Sequence, residues 1–173
     1  MSKREPKIRF RGFTDEWEEC KFADLYKKVS EKNDLSFSKD QIISVANMYF
    51  KTNAGSSSDD SYMRTYNIFR KGDIAFEGHH NKCFSHGRFV ENTIGDGIVS
   101  HVFDVFRPIV DLDLNYWKYA IHNERVMGPI LMTSTTKSTM MTNLVAKDFL
   151  KRIMLVPVIS EQKEIGNLFS TLD

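Results

Sequence analysis

Hydrophobic and polar residues change their spacing several times along the chain, and each change marks an element. From Lys7 to Phe22 short apolar and charged pieces alternate around Gly12, which predicts a lead-in loop running into a first strand or short helix, with Trp17 in the core. Lys27 to Lys39 is polar and charged and predicts a surface loop. Gln41 to Phe50 is rich in β-branched and aromatic residues and predicts a strand. Asn53 to Ser61 is small, polar and turn-prone, predicting an exposed loop or a disordered insert. Lys71-Gly72-Asp73 predicts a tight turn opening the apolar strand Ile74-Ala75-Phe76. Gly78 to Lys82 reads as a polar loop, and Gly87-Arg88-Phe89-Val90 as the start of another strand. Gly95-Asp96-Gly97 is a turn signal, after which apolar and polar residues alternate well enough from Ile98 to Phe106 to predict one more strand.

Past Pro108 the period lengthens. Leu114, Trp117, Ala120 or Ile121, and Val126-Met127 recur at helical spacing, predicting a helix over Leu114 to Met127 that Gly128-Pro129 stops. Thr133 to Thr142 is a dense polar tract. A β-like run follows from Asp148 to Pro157. The last element is helical: Ser160 is placed to cap it, Glu161 sets negative charge at the positive end of its dipole, and Ile165, Leu168, Phe169 and Leu172 recur at i, i+3, i+4 and i+7. Such an apolar stripe needs a partner, and it suggests that the chain ends near the beginning of a longer helix. No internal repeat is present.

Composition narrows the function classes. At 173 residues, with 41% hydrophobic and 27% charged residues, the chain reads as one soluble globular unit that needs no staples for its core. No apolar stretch approaches the roughly 18 residues of a membrane-spanning helix, and no apolar run follows the basic N-terminus, so a cytoplasmic protein is expected. Cys20 and Cys83 are far apart and fit reduced thiols. A formal charge of +1 is low for a nucleic-acid binder, since counterion release supplies much of such affinity. A module of this charge must gather its basic residues on one face or borrow affinity from a partner.

Several pieces, in the same order, resemble the specificity (S) subunits of type I restriction-modification systems. They are Lys71-Gly72-Asp73-Ile74-Ala75-Phe76-Glu77-Gly78-His79, Gly87-Arg88-Phe89-Val90, Trp117-Lys118-Tyr119, Lys137-Ser138-Thr139-Met140-Met141, and Val156-Pro157 followed by Glu161-Gln162-Lys163-Glu164-Ile165-Gly166. The resemblance runs from about Pro6 to Asp173. It implies an α+β fold with a strongly bent mixed or antiparallel sheet and a few flanking helices: a target-recognition domain over residues 1–158, then the beginning of a spacer helix over 159–173. It also implies a chain that is not an enzyme, reading one half of a split site in double-stranded DNA. Methyltransferase and motor/nuclease subunits would be its partners and would carry S-adenosylmethionine, magnesium and ATP, leaving this chain with no cofactor and no metal. A complete S subunit has two such domains separated by two antiparallel helices. This chain departs by having one domain and the start of a helix, so self-association through that helix is a further expectation.

Base edges are read by side chains with fixed donor and acceptor geometry, and phosphates by Lys, Arg, hydroxyls and backbone amides. Three polar loops supply such groups: Lys51, Asn53 and Ser57 in the first, His79, His80, Asn81, Lys82 and Arg88 in the second, Thr136, Lys137, Ser138 and Thr139 in the third. The stripe Ile165, Leu168, Phe169 and Leu172 is the candidate partner surface. Competing readings exist. His79, His80, Cys83 and His86 are zinc-ligand types, but adjacent histidines suit one metal poorly. Glu161-Gln162-Lys163 with Asp104 or Asp111, or His122-Asn123, faintly suggests a metal-dependent or histidine nuclease. No Asn-Pro-Pro-Tyr-like segment or glycine-rich cofactor loop points to a methyltransferase. A pure interaction module docking through the last helix is the third class.

Overall fold

The computed structural model describes residues 4–51 and 59–173. In chain order the elements are β1 (Glu18–Lys21), α1 (Phe22–Leu25), β2 (Tyr26–Val29), a short 3-10 turn (Lys39–Gln41), β3 (Ile43–Ser44), β4 (Tyr49–Phe50), α2 (Asp60–Met63) and β5 (Asn67–Phe69). The second half holds β6 (Ile74–Glu77), β7 (Arg88–Glu91), β8 (Gly97–Val99), β9 (Val105–Pro108), α3 (Leu114–Ala120), α4 (Glu124–Met132), β10 (Thr135–Lys137), β11 (Thr142–Leu144), α5 (Ala146–Leu150), β12 (Ile153–Val156) and α6 (Ile159–Leu172).

The centre is a four-stranded antiparallel sheet in the order β2-β9-β6-β7. Both of its faces are covered, which is why its strands carry apolar residues at consecutive positions. Ile74 and Phe76 of β6, Phe89 of β7 and Phe106 of β9 point into one core with Phe22, Tyr26, Trp117 and Phe149. Their neighbours Ala75, Val90 and Val105 point into a second core with Ile43, Val45, Phe69 and Val99. Phe149 is the hub of the first: its ring lies 4.4 Å from Phe22, 4.5 Å from Phe89 and 5.2 Å from Phe106. The remaining strands form two-stranded antiparallel pairs, β1-β12, β3-β4, β5-β8 and β10-β11. The fold is therefore α+β and antiparallel as expected, but the single bent sheet is divided into one sheet and several ribbons.

Charged residues brace the sheet. Arg107 donates to Asp73 (Nη2–Oδ2 2.9 Å) and to Glu31 (2.8 Å), and Arg70 donates to the other oxygen of Glu31 (2.8 Å). The two guanidinium groups hold the Glu31 carboxyl below its ordinary range, whereas burial raises that of Asp73. Asn92, fully buried, closes the following turn by donating to Phe69 and Gly95 carbonyls and accepting from the Ile94 and Gly95 amides.

The end of the chain packs through a polar seam. α6 buries Glu161, Gln162 and Gly166. Arg9 grips Glu161 with two bonds (2.8 and 2.9 Å). Gln162 accepts from the Trp117 indole and the Asp113 amide (3.1 Å each) and donates to the Pro157 carbonyl (3.0 Å). Gly166 lets α6 reach α3, because a Cβ there would stand 2.5 Å from Asp113 Oδ1 and 2.7 Å from the Tyr116 nitrogen.

Several sequence expectations are corrected. Trp17 is half-buried and outside the core clusters. The stretch Lys27 to Lys39 begins inside β2, where Lys28 pairs with Asp104 at 3.2 Å, and the loop that follows is held by the buried Asn33, which donates to the Met63 and Phe37 carbonyls. Gln41 to Phe50 is a tight hairpin, folded back at Met48, whose φ is 52°. Ile98 to Phe106 divides between β8 and β9, because the turn at Ser100 to Phe103 sends the chain from one sheet to another. The long helix breaks after Ala120 into α3 and α4. Pro129 lies inside α4, past the middle of its nine residues, where its missing N–H removes one intrahelical bond without ending the helix. The run Asp148 to Pro157 begins as α5 and becomes β12 only at Ile153. Ser160 lies within the first turn of α6, whose N-cap is Val158.

Candidate nucleic-acid interface

The second and third polar loops meet. Gly78 O accepts from Thr142 N (2.8 Å), His79 and Met141 form an antiparallel bridge, and the single Thr142 hydroxyl proton lies between the His86 and Gly78 carbonyls, the His86 oxygen being the nearer (2.9 against 3.2 Å). The polar tract is thus no plain loop. It is the β10-β11 ribbon, in which Thr135 pairs with Leu144, Thr136 with Asn143 and Lys137 with Thr142. Its tip, Ser138 to Met141, closes with Ser138 N and Oγ donating to the Met141 carbonyl (2.8 and 2.9 Å). Thr136, Lys137, Ser138 and Thr139 are all exposed on it.

The 78–87 loop is anchored at its far side. Phe84 sits between the Arg88 guanidinium (5.4 Å from its ring) and the His122 ring (5.8 Å), and Ser85 N donates to Glu124 Oε1. Gly87, with φ of 79°, threads a gap where a Cβ would lie 2.7 Å from Phe76 and 2.9 Å from the Thr142 hydroxyl. Burial, with the neighbouring positive charges of Arg88 and Lys118, lowers the affinity of His122 for a proton.

The first loop joins through a cleft of about 240 Å³ whose lining includes Ser44, Ala46, Lys51, Glu77, His79 and Ser100. Asn53 and Ser57 lie outside the described residues. Lys51, Lys82 and Lys137 make no ion pair with any described residue, so their charges are available to a ligand. Arg88 differs, since it donates to the Ala46 carbonyl (2.9 Å), lies 3.6 Å from Glu77 and covers Phe84. Asn81 uses its side-chain oxygen to accept from Cys83 and Phe84 amides, shaping the loop. His80 is half-buried and Lys82 exposed. His79 is exposed, but its ring Nδ1 and its backbone N–H both engage Glu77 Oε1. Glu77, Ser44 and Ser100 escaped the sequence reading. The Glu77-x-His79 spacing, which puts both side chains on one face of an extended segment, was the available signal.

A larger cleft, about 420 Å³, lies at the junction of α3 and α6 and is lined by Lys71, Asp111, Asp113 and Lys163 among others, where opposite charges offset each other. Residues of the nuclease reading are scattered: Glu161 is buried against Arg9, Asp104 pairs with Lys28, and His122 packs on Phe84. Among the described residues no three His, Cys, Asp or Glu side chains gather as metal ligands, the His79, His80, Cys83 and His86 group included. No helix among them is long and apolar enough to cross a membrane.

No protein-family model and no curated protein sequence matches this chain. Solved structures do. The type I restriction-modification system S subunit from M. genitalium superimposes with a TM-score of 0.56 at 13% identity, covering 99% of this chain and 41% of that one. The chain shares its fold with an S subunit. The HsdS subunit from Thermoanaerobacter tengcongensis gives a TM-score of 0.52 at 14% identity, covering 93% of this chain and 38% of that one. The chain thus spans about two-fifths of the length of each S subunit. On this S-subunit fold, Ile165 of the α6 stripe packs against the first core, whereas Leu168, Phe169 and Leu172 are exposed, with Phe169 resting on the Tyr119 ring at 5.0 Å.

Proposed function

We propose that this domain binds double-stranded DNA and reads one half of a bipartite target for a type I restriction-modification complex. The observation that carries the proposal is the convergence of the exposed β10-β11 tip, the anchored 78–87 loop and Lys51 on an S-subunit fold. A two-stranded ribbon is narrow enough to enter the major groove, where each base pair offers a distinct set of donors and acceptors. Lys51, Lys82 and Lys137 supply phosphate contacts, and the hydroxyls of Thr136, Ser138 and Thr139 flank them. With a net charge of +1, three lysines that pair with no described residue, gathered around one feature, are the local concentration that a near-neutral binder needs.

The domain has no catalytic role of its own in this reading. Methyltransferase subunits and, through them, a motor/nuclease subunit act on the DNA in the cytoplasm, carrying S-adenosylmethionine, magnesium and ATP. The exposed end of α6, with Leu168, Phe169 and Leu172, continues toward the spacer and those partners or a second copy. The test is fluorescence anisotropy on random duplex DNA over a salt series, followed by selection from a randomised pool. Steep loss of binding with salt together with an enriched short motif is the expected result. Absence of binding at low salt, both alone and with the methyltransferase subunit added, would refute it.

A further inference from the structure

A side chain that discriminates bases must be both exposed and held, because the energy of a base contact depends on geometry set before binding. At the interface, Lys82 and Lys137 are exposed but held by no ion pair to a described residue, while Asn81 and Ser138 use their acceptor or donor within their own turns. His79 meets both conditions. Its side chain is 65% exposed, yet its backbone is bridged to Met141 and its ring Nδ1 is bound by Glu77, whose own side chain is 9% exposed. The same Glu77 oxygen also accepts the His79 backbone N–H at 3.1 Å, so a single atom fixes both the main chain and the ring.

This contact sets the chemistry of the other ring nitrogen. A carboxylate can only accept, so the hydrogen between Glu77 and His79 belongs to Nδ1. In the neutral ring Nε2 is then a bare acceptor, and no described residue bonds to it. A bare acceptor in the major groove complements the exocyclic amino groups, N6 of adenine or N4 of cytosine. It finds no donor on guanine N7 and O6 or thymine O4. We propose that His79 reads the amino edge of an adenine or cytosine in the half-site, with Glu77 as its positioning residue. The inference rests on the DNA-reading function proposed above.

The experiment compares the full chain with its H79A, H79Q, E77A and E77Q variants, each checked for an unchanged far-UV spectrum and melting transition. Selection from a randomised duplex pool first gives the motif of the unsubstituted chain. At one position occupied by adenine or cytosine, H79A should lose the preference, and H79Q, which offers an acceptor again, should recover part of it. Replacing that base by its analogue lacking the amino group should weaken binding of the unsubstituted chain about tenfold, and that of H79A hardly at all. E77A should blur the preference at the same position, and E77Q, whose amide oxygen can still accept from His79 Nδ1, should keep part of it. A motif identical in H79A, or a base-analogue penalty equal in both proteins, overturns the role of His79 while leaving DNA reading intact. No DNA binding by the unsubstituted chain, with or without the methyltransferase subunit, overturns both.

Discussion

Glu91 offers a quantitative test of the structure. It lies on β7 opposite Ile74, 3% exposed, and among the described residues neither carboxyl oxygen has a hydrogen-bond partner, nor does the buried Tyr26 hydroxyl. Burial is the main cause that pushes its pKa from 4.5 to about 8, Lys118 opposing and Asp113 assisting. The folded state therefore holds a proton that the unfolded chain releases above pH 4.5. Its contribution to stability is fully present below that value and is lost as pH rises through about 8. A difference of about 3.5 pKa units at 1.36 kcal/mol each makes the full loss about 5 kcal/mol, of which about 3 kcal/mol has gone by pH 7. Glu91→Gln keeps the shape of the protonated side chain and removes the titration. Urea unfolding of both proteins from pH 5 to pH 9 isolates this group, since all others cancel in the difference. The variant should gain on the parent by about 4 kcal/mol across that window, over any constant offset from the amide. A difference that does not change with pH would refute the reasoning.

Other outcomes follow from the packing and the interface. Phe149→Ala removes the ring shared by Phe22, Phe89 and Phe106 and should cost about 3–5 kcal/mol in denaturant unfolding, at the edge of what a domain of this size tolerates. Gly166→Ala forces a methyl against Asp113 and the Tyr116 backbone; it should destabilise by about 1–3 kcal/mol and alter the fluorescence of Trp117, whose indole bonds Gln162 on the same helix. Substituting Lys82 and Lys137 together by alanine should weaken binding evenly across DNA sequences and lower the slope of log K against log salt by about 2. An unchanged slope would place the phosphate contacts elsewhere.

Local pattern was legible wherever neighbouring residues dictate structure. Ile74 to Phe76, the strand at Arg88 to Val90 and the final helix emerged from their periodicity and turn residues, and the ordered set of motifs led to the S-subunit fold that the solved structures share. The polar loops were visible by composition. Tertiary structure decided the rest. Ile98 to Phe106 has the alternation of one strand, but only the positions of β5 and β6 show that its two halves pair in different sheets. α3 and α4 share one helical period, yet the chain breaks between them, and α4 runs on through Pro129 with Met127 and Leu131 on either side of it packed into the first core. Arg88 looked like a DNA contact by type, and its engagement with Ala46, Glu77 and Phe84 appears only when distant segments meet. The α6 stripe reads as a partner surface from its spacing, but which face of the helix this domain buries is set by Glu161, Gln162 and Gly166, the polar groups of the first two being matched by Arg9, Trp117 and Pro157. Periodicity records which residues favour leaving water. It cannot record which polar groups find partners far along the chain, and that pairing positions Glu77, His79 and the ribbon tip at one surface.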